Sequence, residues 1–431
     1  MLKYYAKQAW ELMRQNKLFT SIYVVGTALA VATTMIMAII FYVKLAPMYP
    51  EYNRADTYYM MQGRFHNKQE GWTNSWSFSY KAVQEWFYPL QSAEVVSAVW
   101  SEDIDGKYYV QRTDGGADLR VEVKLIDPAF FQIYSLNFIE GKPFSQAEFE
   151  SGQHSVVISD YLARQLFQAT EDAVGKTFMM NFVEYRVAGV VREPSFLMNK
   201  TYAQVYIPFS TLQGYDRITN QPDYMGHYQV AILSKDEKAL RTEIEELKRK
   251  YENSQDEWEW ILSNQPLDYT SPAYPMPESA IRIFLLVCFG VFVALLLVPA
   301  LNLSGMIAGR METRLAEMGV RKAFGANRRL LLGQVMWENL FLTLVGGCLG
   351  LLLAWLALYA FRTWIFTFVN QDYTYGMSVY ATTDLSASML FAPAVFGIAL
   401  LVCLLLNMLS ALIPAWNSLR HPIVESLNEK R

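Results

Sequence analysis

Four long apolar stretches constrain the fold of this chain more than any other feature of its sequence. They cover residues 18–43, 281–309, 330–361 and 389–413 of the 431-residue chain. A helix that crosses a hydrocarbon core needs roughly 20 apolar residues at about 1.5 Å rise each. The pattern therefore predicts a membrane protein with four transmembrane helices.

The first stretch is much longer than the apolar core of a signal peptide, which has about 7 to 15 residues. We therefore expect it to be a retained signal anchor. Residues 1–17 contain "YYAKQAWELMRQNK", which places apolar and charged residues on different faces of a helix. This pattern predicts an amphipathic helix in the inner headgroup layer. A simple extension of the first transmembrane helix fits the same residues equally well.

The distribution of Lys and Arg predicts the orientation of the spans, because basic residues collect on the cytoplasmic side. Residues 1–17 carry four basic and one acidic side chain, and residues 310–329 carry six and two. Residues 362–388 carry only one basic and two acidic side chains. Both termini, including the tail 414–431, are thus predicted to be cytoplasmic. The large segment 44–280 is predicted to lie outside.

The outer segment, residues 44–280, has 22 basic and 33 acidic side chains, a net charge of -11. A negative net charge is compatible with export of this segment across the membrane but does not require it. The chain's three cysteines, Cys288, Cys348 and Cys403, all fall in predicted spans. The outer segment therefore needs no disulfide.

Strand-like and helix-like patterns alternate along the outer segment. "LRVEVKLID" alternates with a period of two, and the strand pattern "SVVIS" precedes the helix pattern "YLARQLF", for which Asp160 is a plausible N-cap. The alternation predicts a large mixed α+β domain. Its length exceeds that of one small domain, which favours two lobes.

Motifs for catalysis or metal binding are missing from the sequence. "TEDAVGKT" has Thr170 where a phosphate loop needs glycine, and the four histidines are isolated from one another. Neither HExxH nor GxSxG occurs. We therefore expect no catalytic residue, no metal and no cofactor in this chain. No basic aromatic stripe indicates nucleic acid.

Aromatic residues in the outer segment leave one alternative open. The acidic "SQDEWEW" could form a ligand-binding face with four tryptophans, or the tryptophans could pack in the core. These are Trp72, Trp76, Trp86 and Trp100.

Glycines four residues apart predict close helix contacts within the spans. Gly346 and Gly350 have this spacing in one span, and Gly305 and Gly309 repeat it in another. The contacts could form within one chain or between two. Glu338, near the predicted cytoplasmic boundary of its span, is expected to be an interface or helix-contact residue rather than a proton carrier.

The stretch "AEMGVRKAFGANRR", residues 316–329, predicts a short amphipathic helix between two spans. Glu317 and Arg321 are four apart with the acid first, the favourable order for an ion pair. Val320 and Phe324 belong to an apolar face, and Gly325 is placed to end the helix in a left-handed conformation. Positive charge on the cytoplasmic side alone would not require such a helix.

"ETRLAEMGVRKAFGANRRLLLGQVMWENLFLTLVGGCLGLLLAW" resembles the FtsX-type permease domain of MacB-like ABC transporters. The closing "LIPAWNSLRHPIVESL" and the first-span "NKLFTSIYVVGTALAVA" are similar to the same family. So are "SVVISDYLARQLF" and "AVGKTFMMNFVEYRVAGVV" in the outer segment. The resemblance covers nearly the whole chain, and the loop 310–329 is its most specific part.

The resemblance implies a type VII ABC permease of a bacterial inner membrane, with a Porter-like half and a Sabre-like insertion in its outer domain. It also implies that the loop 310–329 is a coupling helix docked on a cytoplasmic ATPase. The residues that match the family pattern there are Glu317, Met318, Gly319, Arg321, Lys322, Gly325 and Ala326. Only 17 residues precede the first span, so we expect the ATPase that binds ATP to be a separate chain and this chain not to hydrolyse ATP.

We therefore expect ATP-driven movement of the outer domain, coupled to export of an envelope substrate such as a peptide, a lipid or a drug. Two copies, or this chain and a related permease, would pair within membrane lipid. A periplasmic adaptor and an outer-membrane protein are further candidate partners. One alternative is an FtsX-like regulator of periplasmic cell-wall hydrolases, and another is a four-span receptor without an ATPase.

Overall fold

The computed structural model of the protein contains two compact units, which are described separately. The membrane unit comprises Met1–Val43, Ile283–Ile365 and Leu385–Arg431, and the outer domain comprises Lys44–Arg282 and Phe366–Asp384. The structure describes residues 14, 17–101, 108–111, 118–212, 224–254, 256–263, 265–269, 286, 290, 294, 309, 320, 321, 323–369 and 392–420.

Three of the described helices are long and apolar enough to cross a membrane. Their apolar parts are Thr20–Val43, Arg328–Arg362 and Pro393–Asn417. They correspond to the first, third and fourth predicted spans. The second predicted span, 281–309, lies outside the described residues except for isolated positions. The same holds for the predicted N-terminal helix.

The long helices extend beyond the apolar stretches that predicted them. They are α1 (Lys17–Leu45), α7 (Arg328–Val369) and α8 (Pro393–Arg420). α7 continues past residue 361, and α8 continues through Pro414 into the predicted tail. Hydropathy marks the part of a helix that suits hydrocarbon, whereas the helix itself ends where its backbone hydrogen bonds end.

The outer domain contains short strands and helices in mixed order. The strands are β1 (Thr57–Met60), β2 (Gly63–Asn67), β3 (Thr73–Phe78), β4 (Val95–Trp100), β5 (Tyr108–Gln111), β6 (Leu119–Val121), β7 (Val123–Ile126), β8 (Phe138–Gly141), β9 (Ser155–Ser159), β10 (Thr177–Met180), β11 (Val183–Val191), β12 (Val205–Pro208), β13 (Met225–Gly226), β14 (Tyr228–Leu233) and β15 (Trp258–Ile261). The helices are α2 (Tyr80–Ala82, continued by a π-helical turn Val83–Phe87), α3 (Phe130–Ile133), α4 (Gln146–Glu150), α5 (Asp160–Phe167) and α6 (Glu237–Ser254).

The described strands of the outer domain form one hydrogen-bonded path in the order β15-β2-β3-β14-β4-β7-β12-β9-β11-β10-β5-β6. β1 joins β14, β13 joins β3, and β8 joins β11. The pairs β7–β12 and β9–β11 are parallel and the others are antiparallel. The mixed α+β prediction is confirmed, while the division into two lobes stays a prediction.

Aromatic side chains fill much of the core of the outer domain. Trp86 stacks on Trp260 with ring centroids 4.8 Å apart, and both rings are buried. Trp100 stacks on His227 at 4.8 Å. Of the four tryptophans weighed as a ligand-binding face, Trp86 is therefore a core residue and Trp100 packs against a neighbouring ring. Trp72 and Trp76 are 42% and 49% exposed.

The N-cap of α5 is Ser159, not Asp160 as predicted. The Ser159 hydroxyl accepts a hydrogen bond from the Leu162 amide at 3.1 Å. Ser159 is the last residue of β9 and has the extended backbone that an N-cap needs. Asp160 is instead the first helical residue, and its carboxylate pairs with Arg164 at 2.8 Å. The prediction was wrong by one residue.

Candidate functional site

The loop before α7 forms a short helical turn in its described part. The Phe324 amide donates to the Val320 carbonyl at 3.1 Å, and the Ala326 amide donates to the Arg321 carbonyl at 3.0 Å. Gly325 has φ of 89°, in the left-handed region that an L side chain rarely adopts. The turn therefore ends at Gly325, the position where the sequence predicts the helix to end.

A chain of hydrogen bonds connects this turn to the interior of α7. Arg321 Nη1 donates to Gln334 Oε1 at 2.7 Å, and Gln334 Nε2 donates to Glu338 Oε1 at 3.2 Å. Gln334 and Glu338 are 6% and 4% exposed. Glu338 thus accepts a hydrogen bond within its own helix, and its expected role as an interface or helix-contact residue stays a prediction. The Gln334 amide oxygen, itself oriented by Glu338, holds the guanidinium and hence the loop against α7.

The apolar face of the turn points away from the protein. Phe324 is 89% exposed and Val320 is 45% exposed, in contrast to Ala326, which packs against a buried cluster. That cluster joins α1, α7 and α8 through Tyr23, Leu331, Val335, Leu342, Ala411 and Ala415. The base of the loop is therefore anchored in the helix bundle while its tip presents an aromatic ring.

The remaining matched positions of the loop, Glu317, Met318, Gly319 and Lys322, lie outside the described residues, as does Gly305. Gly309 is described, and none of the described residues comes within 4 Å of a Cβ built on it. The structure thus brings together Arg321, Gly325 and Ala326 from the predicted set.

Gly346 and Gly350 bring α7 into direct backbone contact with α1. A Cβ built on Gly346 would lie 2.8 Å from the Thr27 Cβ, and one built on Gly350 would lie 2.6 Å from the Ala28 carbonyl oxygen. No real Cβ is accommodated at such distances, so glycine is required for this approach. The contact lies within one chain.

Two functional candidates were missed by the sequence reasoning. Gln334 was not singled out from the sequence, although its position four residues before Glu338 places both on one helix face. Tyr23, which is fully buried, bonds to the Thr343 hydroxyl at 3.0 Å and so adds a polar contact between α1 and α7. A tyrosine in an apolar span gives no such signal by itself.

Two family profiles match the chain over most of its length. The MacB-like periplasmic core domain matches residues 20–249, and the FtsX-like permease C-terminal domain matches residues 289–423. The chain belongs to the MacB-like, FtsX-type family of ABC transporter permeases. This permease therefore carries a transmembrane region and a MacB-like periplasmic domain.

Curated relatives of the permease match only part of their own length. The macrolide export ATP-binding/permease protein MacB of Salmonella paratyphi A is 26% identical over 56% of this chain and 36% of its own. The protein of the same name from Agrobacterium fabrum is 25% identical over 69% of this chain and 42% of its own. The crystal structure of the periplasmic region of MacB from Actinobacillus actinomycetemcomitans is 15% identical, with a TM-score of 0.34 over 48% of this chain and 89% of that one.

Proposed function

We propose that this permease couples ATP hydrolysis by a separate cytoplasmic ATPase to movement of its outer domain. The observation that carries the proposal is Phe324, an aromatic ring 89% exposed at the tip of a turn whose base is fixed to α7. An aromatic ring exposed at the tip of an anchored turn is suited to serve as an anchor for a protein partner. The ATPase would receive this ring in a groove.

The contacts of the membrane unit supply a route for the movement. Arg321 connects the loop to α7 through Gln334, and α7 touches α1 at Gly350. α1 continues without a break to Leu45, and the outer domain begins at Lys44 within this helix. A push on the loop would thus pass through packed helices. The ATP-bound partner must favour one of two states by a real difference in affinity.

The assembly we propose is a pair of permeases with two ATPase subunits in a bacterial inner membrane, with both termini in the cytoplasm. The second permease is another copy of this chain or a related one. The residues assigned to the ATPase contact are Glu317, Met318, Gly319, Arg321, Lys322, Gly325 and Ala326, with Phe324 as the anchor. The cargo is an envelope substrate, and a macrolide-like compound is one test molecule because the curated relatives are macrolide exporters.

Replacing Phe324 by serine should weaken binding of the ATPase about tenfold or more, the usual loss for a buried aromatic anchor. Arg321→Met should weaken binding less than Phe324→Ser does but lose stimulation of ATP hydrolysis, because the loop is no longer tied to α7 through Gln334. Both are measured with the reconstituted permease and its co-purified ATPase.

Phe182→Ser is the matched control, since this ring is 84% exposed but belongs to the outer domain. It should leave both binding and stimulation unchanged. If Phe324→Ser and Arg321→Met bind and stimulate like the unaltered chain, the loop has no coupling role. Capture of a cell-wall hydrolase without export of any compound would favour the regulatory alternative.

A further inference from the structure

Two tryptophans lie side by side at one end of the strands β15, β2 and β3. Trp72 immediately precedes β3, and Trp258 is the first residue of β15. Asn67 of β2 lies between them, because its amide donates to the Trp72 carbonyl at 2.9 Å and it is the cross-strand partner of Trp258. The three residues therefore form one row across the sheet.

The two indole rings of this row form a corner at the protein surface. Their centroids are 5.1 Å apart and their planes meet at 81°. Trp72 is 42% exposed and Trp258 is partly buried. Two residues further along β15, Trp260 is fully buried, and Tyr251 of α6 packs against it with ring centroids 6.4 Å apart. The corner thus continues the aromatic core to a point where solvent reaches it.

A carboxylate lies at the edge of the corner. The Trp72 indole Nε1–H donates a hydrogen bond to Glu70 Oε2. This bond uses the one polar atom of the indole, and it places negative charge next to a ring that already attracts cations better than other aromatic side chains. Glu70 is exposed, and no Lys or Arg nitrogen of the described residues lies within 4.0 Å of its carboxylate.

The turn that carries Glu70 is held in place by backbone hydrogen bonds. Asn67 Oδ1 accepts from the amides of Gln69 and Glu70, both at 2.9 Å. The Lys68 amide donates to the Glu257 carbonyl at 2.8 Å, which ties the turn to the start of β15. Both sides of the corner are therefore fixed before a ligand arrives, so little conformational entropy is lost on binding.

The charge around the corner favours a cation. Its two sides, residues 67–72 and 256–258, contain three carboxylates and one ammonium group. These are Glu70, Asp256, Glu257 and Lys68. Within the described part of the chain, the cations that lie over aromatic rings all lie over other rings. The corner thus combines excess negative charge with two ring faces that no described cation occupies.

We propose that Trp72 and Trp258, with Glu70, bind the alkylammonium group of a small cationic molecule. The ammonium group contacts both ring faces, and the carboxylate at the ring edge supplies the opposite charge. Two rings cover one ammonium group, whereas a stable protein interface needs about 800 Å² on each partner. The corner therefore suits a small molecule rather than a protein. This site does not depend on the proposed coupling to an ATPase.

Titration with choline and with its neutral analogue 3,3-dimethyl-1-butanol tests the preference for a cation. The two molecules have nearly the same shape and differ in the charged nitrogen. The full chain, labelled with ¹⁵N at the tryptophan indoles, is studied by NMR in a choline-free maltoside detergent, where the Trp72 and Trp258 signals report binding. Choline should bind about fivefold more tightly than the alcohol, the factor for one exposed cation–π contact. Equal affinities, or no shift of either signal with choline, would overturn the proposal.

Variants assign the binding to the corner. Trp72→Leu and Trp258→Leu should each weaken choline binding about fivefold or more, as read from the tryptophan signal that is left. Glu70→Gln keeps an oxygen for the indole N–H but removes the charge. It should weaken choline binding about two- to fivefold and leave binding of the alcohol unchanged. Equal choline affinity in the unaltered chain and in Glu70→Gln would remove the carboxylate from the site.

Trp76→Leu is the matched control for these variants. Trp76 is 49% exposed on β3, and among the described residues its indole bonds to no carboxylate. This variant should bind choline like the unaltered chain. A loss as large as that in Trp72→Leu would refute the assignment to the corner.

Two further titrations test whether the ammonium group belongs to a larger partner. Nanodiscs of phosphatidylcholine and of phosphatidylglycerol should give the same Trp72 and Trp258 signals. A choline-like shift in phosphatidylcholine alone would replace the small molecule by a lipid headgroup. A trilysine peptide should bind no more tightly than choline, and much tighter binding would replace the small molecule by a basic protein segment.

Discussion

Replacement of Arg54 by methionine is expected to lower the free energy of unfolding of the outer domain by about 3–5 kcal/mol, the cost of leaving one member of a buried ion pair alone. Glu51 and Arg54 are 1% and 4% exposed. The guanidinium also donates to the Ala46 carbonyl at 2.6 Å and lies 4.1 Å from the centre of the Tyr269 ring. The variant would lose all of these contacts at once.

Hydrogen exchange of β7 and β12 peptides in the full chain measures the loss within the outer domain. Glu51→Leu combined with Arg54→Met should recover most of the stability, because neither member of the ion pair then stays buried without its partner. Arg164→Met is the matched control. Its ion pair with Asp160 has a similar distance of 2.8 Å, but the arginine side chain is 55% exposed, so its loss should cost under about 1 kcal/mol. A double variant as unstable as Arg54→Met alone would contradict this explanation.

Replacement of Gly350 by valine is expected to disrupt the contact between α1 and α7. A Cβ at this position would lie 2.6 Å from the Ala28 carbonyl oxygen and 2.8 Å from the Val31 Cβ. Because one of these atoms belongs to the backbone, a whole helix must shift, at a cost of about 1–3 kcal/mol or more. Thermal unfolding of the detergent-solubilised chain measures the change.

Gly333→Val on the same helix is the control for this experiment. A Cβ on Gly333 meets no atom of the described residues within 4 Å. Both substitutions change the helix propensity in the same way, so the difference between them isolates the contact with α1. Equal melting temperatures for the two variants would show that the glycine contact contributes nothing to stability.

In the membrane unit, the sequence predicted which segments are transmembrane helices better than it predicted which helices contact each other. A run of apolar residues identifies a span wherever it occurs, because the bilayer acts on each residue separately. The spacing of Gly346 and Gly350 likewise indicates a contact face. The partner on that face is α1, far away in the chain, and no local pattern names it. α7 and α8 run past the predicted spans because a helix can continue beyond its apolar part.

In the outer domain, local sequence patterns predicted strands, but they did not predict which side chains the folded strands bring into contact. The period-two pattern of "LRVEVKLID" predicted strand structure, and the fold divides this segment into β6 and β7. The parallel pairing of Val123 with Val205 depends on the whole fold. The hydrogen bond from Lys124 of β7 to the Asn199 carbonyl likewise joins residues 75 positions apart. No local pattern in the sequence marks such a contact.

The loop before α7 shows the same limit at the candidate site. Helical spacing identified Val320 and Phe324 as one apolar face and Gly325 as the end of the helix. It did not show that this face points outward, because periodicity is the same for a face that packs inward. It also could not show that Arg321 binds Gln334, since the hydrogen bond crosses from the loop to the next helix.

The direct main-chain contact between α1 and α7 limits how these two helices can move. Helices that touch along a line of glycines can slide or rotate past each other by about 1–2 Å, as in shear-type rearrangements. Tilting them apart would open the line at Gly346 and Gly350 together and lose the close van der Waals packing between the two backbones. Under the proposed coupling, a movement carried by this pair would therefore be short and lateral, and the helices are too close at these two glycines for water to pass between them.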